Sequence, residues 1–233
     1  MKILAFDSTA VTASVAVCED ERLLAEITLN NGNTHSETLL PMAEALFRML
    51  SISADDIDLF ATSSGPGSFT GVRIGAATLK GMAFGRSKPC VGVSTLEALA
   101  YNLRAHKGII CPVMNARRAQ VYTAIFESDG EKLVRLTEDM AIAAEELDAK
   151  LSAYTVPVYL CGDGIEVALE CFSQTKAIAA NESERYQSGY SVSQVALALY
   201  REGKATTDAE VTATYLRLSQ AERERLEREN KQV

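Results

Sequence analysis

Apolar and polar positions along this chain change period several times, and each change marks an element. Residues 2–6 form a short apolar run and read as a buried strand. From Thr12 to Val17 the pattern alternates, with Ala13, Val15 and Val17 on one face. Residues 23–29 read as a third strand, set off by the charged turn Glu19-Asp20-Glu21-Arg22. Three consecutive strands with tight turns predict an antiparallel meander. A helical period follows over 34–50, with Leu39, Met42, Leu46, Met49 and Leu50 as its apolar stripe and Asn33 or Thr34 as its cap. Pro41 within that run needs a first-turn position or a kink. Strand 59–63, helix 72–84, strand 90–93 and helix 95–103 complete the first half.

The second half repeats the order in reduced form. Residues 109–114, 121–126 and 132–136 read as three strands, 142–151 as a helix, 156–161 as a strand and 165–172 as a helix, with a further helix over 192–200. Two β-β-β-α-β-α units in tandem predict an internal duplication at the level of pattern. The expected division is residues 1–106, residues 107–216, and a charged tail over 217–233 that is helical or frayed.

Between strand 59–63 and the helix that follows lies Ser63-Ser64-Gly65-Pro66-Gly67-Ser68-Phe69-Thr70-Gly71-Val72-Arg73-Ile74-Gly75. A strand-to-helix turn rich in glycine aims backbone N–H groups above the sheet, as phosphate cradles do. This one lacks the lysine of a G-x-x-x-x-G-K-[ST] loop, because Val72 follows Gly71. It also lacks the G-x-S-x-G order of a nucleophile elbow, since Ser68 directly follows Gly67. A Ser68 nucleophile would need His35 or His106 as its base, and neither is tied to it by sequence. The glycines suit structure better. Gly65 and Gly67 flank Pro66 in a tight turn. Glycine inside a helix costs about 1 kcal/mol relative to alanine, usually offset by close approach of another backbone. Gly71, Gly75 and Ala76 share a face with Leu79, which packs either within the fold or against a partner. Asp7, after the first strand, is either a metal–nucleotide ligand or an Asx turn. Arg117 and Arg118, at the matching place in the second half, are phosphate or carboxylate candidates or simply exposed.

Composition narrows the classes. The net charge of −8 opposes autonomous nucleic-acid binding, which depends on neutralising phosphates. No segment approaches the roughly 18 apolar residues of a membrane span, and the N-terminus makes a poor signal peptide, so a cytoplasmic protein is expected. Five cysteines without C-x-x-C spacing read as buried reduced thiols.

The strings Ile3-Leu4-Ala5-Phe6-Asp7-Ser8-Thr9, Thr34-His35-Ser36-Glu37, the segment from Gly65 to Gly75, Gly92-Val93-Ser94-Thr95-Leu96, Ala116-Arg117-Arg118 before Val121-Tyr122, and Tyr215-Leu216-Arg217 resemble the TsaB (YeaZ) family of bacterial tRNA threonylcarbamoyladenosine biosynthesis. The resemblance runs to about Leu216 and implies an α/β fold of the actin/Hsp70/sugar-kinase-like class, with two βββαβα subdomains. It implies a non-catalytic scaffold that binds the related catalytic subunit TsaD, with the P-loop ATPase TsaE joining the pair. TsaD transfers threonylcarbamoyl to an adenosine of ANN-decoding tRNAs, so tRNA contact would be indirect. Family members also self-associate through their first two helices. The partner surface so implied comprises His35, Leu39, Met42, Leu46, Gly71, Arg73, Gly75, Ala76 and Leu79. A leucine at Gly75 is then expected to block association and leave the monomer folded. TsaD has a His-x-x-x-His metal motif where this chain has Thr95 and Leu99, and a glycine pair where it has Ala116-Arg117. Neither replacement suits metal or phosphate, so no metal and no catalytic residue is expected. Asn115 and Gln120 stand where relatives more often have Asp and Glu. ATP or ADP at the junction with partners is the one cofactor the resemblance allows. The competing readings are an autonomous ATPase or kinase of the same fold and, behind it, a peptidase.

Overall fold

The computed structural model describes residues 1–217. The expected tail helix from 218 onward lies outside the described residues. The first sheet contains β1 (Lys2–Asp7), β2 (Ala13–Glu19), β3 (Arg22–Leu29), β4 (Leu59–Gly65) and β5 (Cys90–Ser94) in the order β3-β2-β1-β4-β5. The meander β1–β2–β3 is antiparallel, and β4 and β5 add in parallel. Helices α1 (His35–Leu50) and α2 (Phe69–Ala83) cover one face, and α3 (Thr95–Asn102) lies on the other. Successive side chains of a strand point to opposite faces. Leu4 and Phe6 therefore join Leu39, Leu46 and Leu79 in one core, while Ile3 and Ala5 join Val93 and Ala98 in the other. A strand buried on both faces reads as an unbroken apolar run, which is the pattern of β1.

The second sheet contains β6 (Gly108–Asn115), β7 (Gln120–Thr123), β8 (Phe126–Ser128), β9 (Leu133–Arg135), β10 (Met140–Ala143), β11 (Val158–Cys161) and β12 (Ala177–Ala179). Its main path, β10-β7-β6-β11-β12, reproduces the first sheet strand for strand. The chain has the actin/Hsp70/sugar-kinase-like architecture, with the β8–β9 hairpin inserted and paired to β6. Helices α4 (Ala144–Leu151), α5 (Ile165–Cys171), α6 (Glu182–Arg185) and α7 (Gly189–Arg201) follow. Although α7 comes after the second sheet, Val192, Val195 and Ala196 pack under the first one.

Several expected elements need correction. The strand expected over 121–126 is split into β7 and β8. The strand expected over 132–136 belongs to the inserted hairpin, and β10 takes the third place of the meander. Ile142, read as helical, lies in β10, where it pairs with Val121 of β7. Helix α2 starts three residues early, since Ser68 caps it by accepting from the Gly71 N–H at 3.3 Å. Thr34 occupies the N-cap of α1 without a side-chain cap bond, and Pro41 sits well inside that helix. Buried Asp148 on α4 fixes loop 173–175 by accepting from the N–H groups of Ser173, Gln174 and Thr175 at 2.7, 2.9 and 2.8 Å. Burial pushes its carboxyl up, but these donors outweigh burial and hold it at about 2.

Candidate functional site

Parallel strands β1, β4, β6 and β11 end at one cleft between the two sheets, of about 680 Å3. That size suits a small molecule. On the first wall, Asp7 is fully buried. One oxygen accepts from the Thr9 N–H at 2.9 Å and Thr9 Oγ1 at 2.7 Å, the other from Ser63 Oγ at 2.5 Å. This is the Asx turn of the two alternatives. Burial raises the Asp7 carboxyl, and the three donors work against that rise. The second wall repeats the device in looser form. Asn115 Oδ1 accepts from the Arg117 N–H at 2.8 Å, and Asp163 accepts from the Asn115 N–H at 3.2 Å. Burial also raises the Asp163 carboxyl, but this side chain lines the cleft. Arg117, Arg118 and Ala119 all have positive φ, of 64°, 57° and 53°. Left-handed backbone costs about 1–2 kcal/mol per non-glycine residue. Arg117 lines the cleft, whereas Arg118 is an exposed residue of the turn.

The glycine-rich turn is closed by its own chain. The Ser68 N–H donates to the Thr9 carbonyl at 2.6 Å. A Cβ on Gly67 would strike the Thr9 main chain, one on Gly71 the Ser8 carbonyl, and one on Gly65 the Thr214 carbonyl. Gly65 also needs its φ of +116°. The glycines thus let the turn pack on residues 8–9 and on segment 211–217, while Pro66, Gly67 and Ser68 still line the cleft. The packing of that segment on the turn is not legible in sequence, because the segment is aperiodic and lies about 150 residues from the turn it covers. Ser68 Oγ serves as a helix cap. Neither histidine reaches it: His35 Nε2 lies 2.6 Å from the Ala10 carbonyl, and His106 Nε2 3.1 Å from Glu184.

The residues expected at a partner surface divide sharply. Leu39, Met42, Leu46 and Leu79 are buried in the first core and cannot supply apolar contact to another protein. Gly71, Gly75 and Ala76 are buried against β1 and β4 rather than outward. A Cβ on Gly75 would lie 2.8 Å from Ser8 Oγ and 2.9 Å from Thr62 Oγ1, so Gly75→Leu would disrupt the monomer as well as any interface. His35 is half-buried on Ala10. Arg73 is exposed but engaged: its guanidinium lies 3.8 Å from the Phe69 ring centroid and its Nε donates to the Tyr215 hydroxyl at 3.0 Å. What α1 and α2 present outward is Leu40, Met49, Ala77, Gly81 and Phe84, with Met49 72% and Phe84 76% exposed. A Cβ on Gly81 would meet nothing among the described residues. Thr95 and Leu99 face the core.

The family model for TsaD, tRNA N6-adenosine threonylcarbamoyltransferase, matches residues 22–224. The tRNA threonylcarbamoyladenosine biosynthesis protein TsaB of Bacillus subtilis is 28% identical over 95% of this chain and 96% of its own length. This chain belongs to the TsaB (YeaZ) family. TsaB of Escherichia coli is 34% identical over 63% of this chain and 64% of that protein. YeaZ from Pseudomonas aeruginosa shares the fold at a TM-score of 0.80 and 23% identity, over 92% of this chain and 99% of that one. Among the described residues, no helix of this TsaB-family chain is long and apolar enough to cross a membrane. The cysteines are free thiols, and burial pushes Cys18 up to about 11 and Cys111 to about 12.

Proposed function

We propose that this chain serves tRNA threonylcarbamoyladenosine biosynthesis as a non-catalytic partner subunit that docks on TsaD through the outward faces of α1 and α2. Gly81 carries the reading. Glycine in a helix interior costs about 1 kcal/mol, and among the described residues no neighbour makes use of the missing Cβ. With Ala77 one turn earlier, it leaves a flat strip for another helix. Met49, in the last turn of α1, and Phe84, just past α2, precede β4 and β5, which are parallel neighbours, so both stand toward the N-terminal end of those strands. Such exposed apolar anchors are what an interface core uses. The same face would serve self-association, TsaE would join the TsaD pair, and tRNA would be met through the complex. Nucleotide would bind at the junction with partners, because the oxygens of Asp7 are occupied. Gel filtration with purified TsaD tests this: the wild type co-elutes, and Met49→Glu with Phe84→Glu elutes alone while remaining folded. Co-elution of the double variant would refute the docking face.

One observation favours an autonomous ATPase or kinase, namely that Asp163 and Arg117 line a cleft of small-molecule size. Titration of the lone protein with Mg-ATP separates the readings, since heat of binding with turnover belongs to the enzyme alone.

A further inference from the structure

Segment 206–217 leaves the end of α7 and crosses from the first subdomain to the second. Its early part is firmly held. Thr206 and Cys90 exchange main-chain hydrogen bonds at 2.8 Å in both directions, Val211 is buried in the first core, and the Thr214 N–H donates to the Ser64 carbonyl at 2.7 Å. The next residues are held by surface contacts. Tyr215 stacks on Phe69 with ring centroids 4.6 Å apart, and the Arg73 guanidinium covers the Phe69 ring from α2. Two residues on, Arg217 Nη1 donates to the Ala116 carbonyl at 2.6 Å, on the second subdomain. Thr214, Tyr215, Leu216 and Arg217 all line the cleft. Four residues thus tie one wall to the other across the cavity mouth.

We propose that residues 214–217 are a latch that holds the cleft closed, with the Arg73–Phe69–Tyr215 stack as its catch and Arg217 on Ala116 as its bolt. The anchors are graded. Main-chain bonds and a buried valine fix the hinge end, whereas the catch is a ring stack and a cation over a ring at the surface, which are individually weak. Release therefore begins at Arg217 and stops at Thr214. The latch is independent of the docking reading, because it is tested on the isolated chain.

Hydrogen–deuterium exchange of the full-length protein is the test, read on peptides covering 8–12 and 114–122, one from each wall. Tyr215→Ala and Arg217→Ala should each raise exchange in both peptides roughly fivefold, the change in open population expected from loss of one modest interaction. Peptides over α5 should be unchanged. Tyr215→Phe keeps the stack, loses only the Arg73 bond, and should fall between wild type and Tyr215→Ala. Unchanged exchange at 8–12 and 114–122 in folded Tyr215→Ala and Arg217→Ala would overturn the latch. So would faster exchange confined to 212–217, which would make the segment a passive tie.

Discussion

Helix α2 carries glycine on two faces, and the two faces do different work. On the inner face, Gly71 and Gly75 let the helix close on Ser8 and Thr62, so each is bound by its own fold. On the outer face, no described residue stands where a Cβ on Gly81 would be. The same residue type thus marks a satisfied contact in one case and an unused one in the other. Small residues in a helix do not name the partner they make room for. Only the surroundings do, and here they assign the inner face to stability, while the outer face is the one we propose for recognition.

The largest effect should come from the inner face. Gly71→Ala drives a methyl into the Ser8 carbonyl and should cost about 3 kcal/mol or more. In a chain of this size that lowers Tm by roughly 6–12 °C, read by thermal melting. A Tm within a degree of wild type would erase the distinction between the faces. Asp7→Ala should follow. It leaves Ser63 and both Thr9 donors without their acceptor and should cost about 2–3 kcal/mol in urea unfolding. Asn115→Ala, at the looser turn, should cost clearly less.

Acid sensitivity gives the comparison an internal control, because Asp148 belongs to neither face. Its folded pKa of about 2 lies below the ordinary value of 3.8. The stability it lends is therefore complete above about pH 4 and lost as pH falls toward 2, amounting to about 2 kcal/mol. Asp148→Asn should flatten that acid limb. Gly71→Ala should lower the whole stability curve and leave the limb's shape intact. The smallest change is expected from Gly81→Ala, which should stabilise the monomer by about 1 kcal/mol, since helix propensity improves with nothing to strike. A loss of stability there would mean that the outer face has an internal contact after all.

The first sheet was legible in sequence to within a residue or two at most strand ends, because β1 is continuously apolar and β2 alternates. The second was not: β8, β9 and β12 have three residues each, too few to show a period. The apolar stripe of α1 is legible in sequence, but Leu39, Met42 and Leu46, expected at a partner surface, are buried in the first core. These three lie within one arc, and Met49, only about 20° from Met42 around the helix, is exposed because it stands in the last turn. Hydrophobic periodicity locates the face that is buried and says nothing of what buries it. The two faces of α2 could not be told apart, since Gly75, Ala76, Ala77 and Gly81 are alike in size and differ only in what stands opposite. The closure of the glycine-rich turn depends on Thr9 and Thr214, one about 60 residues before it and the other about 150 after, and no local pattern carries that information.

The most direct test of the account is a calorimetric titration of TsaD with this protein, comparing wild type with Gly81→Leu. The account predicts a variant as stable as wild type or more so, and at least about tenfold weaker in Kd, equivalent to about 1.4 kcal/mol. An unchanged Kd for a folded Gly81→Leu would contradict it.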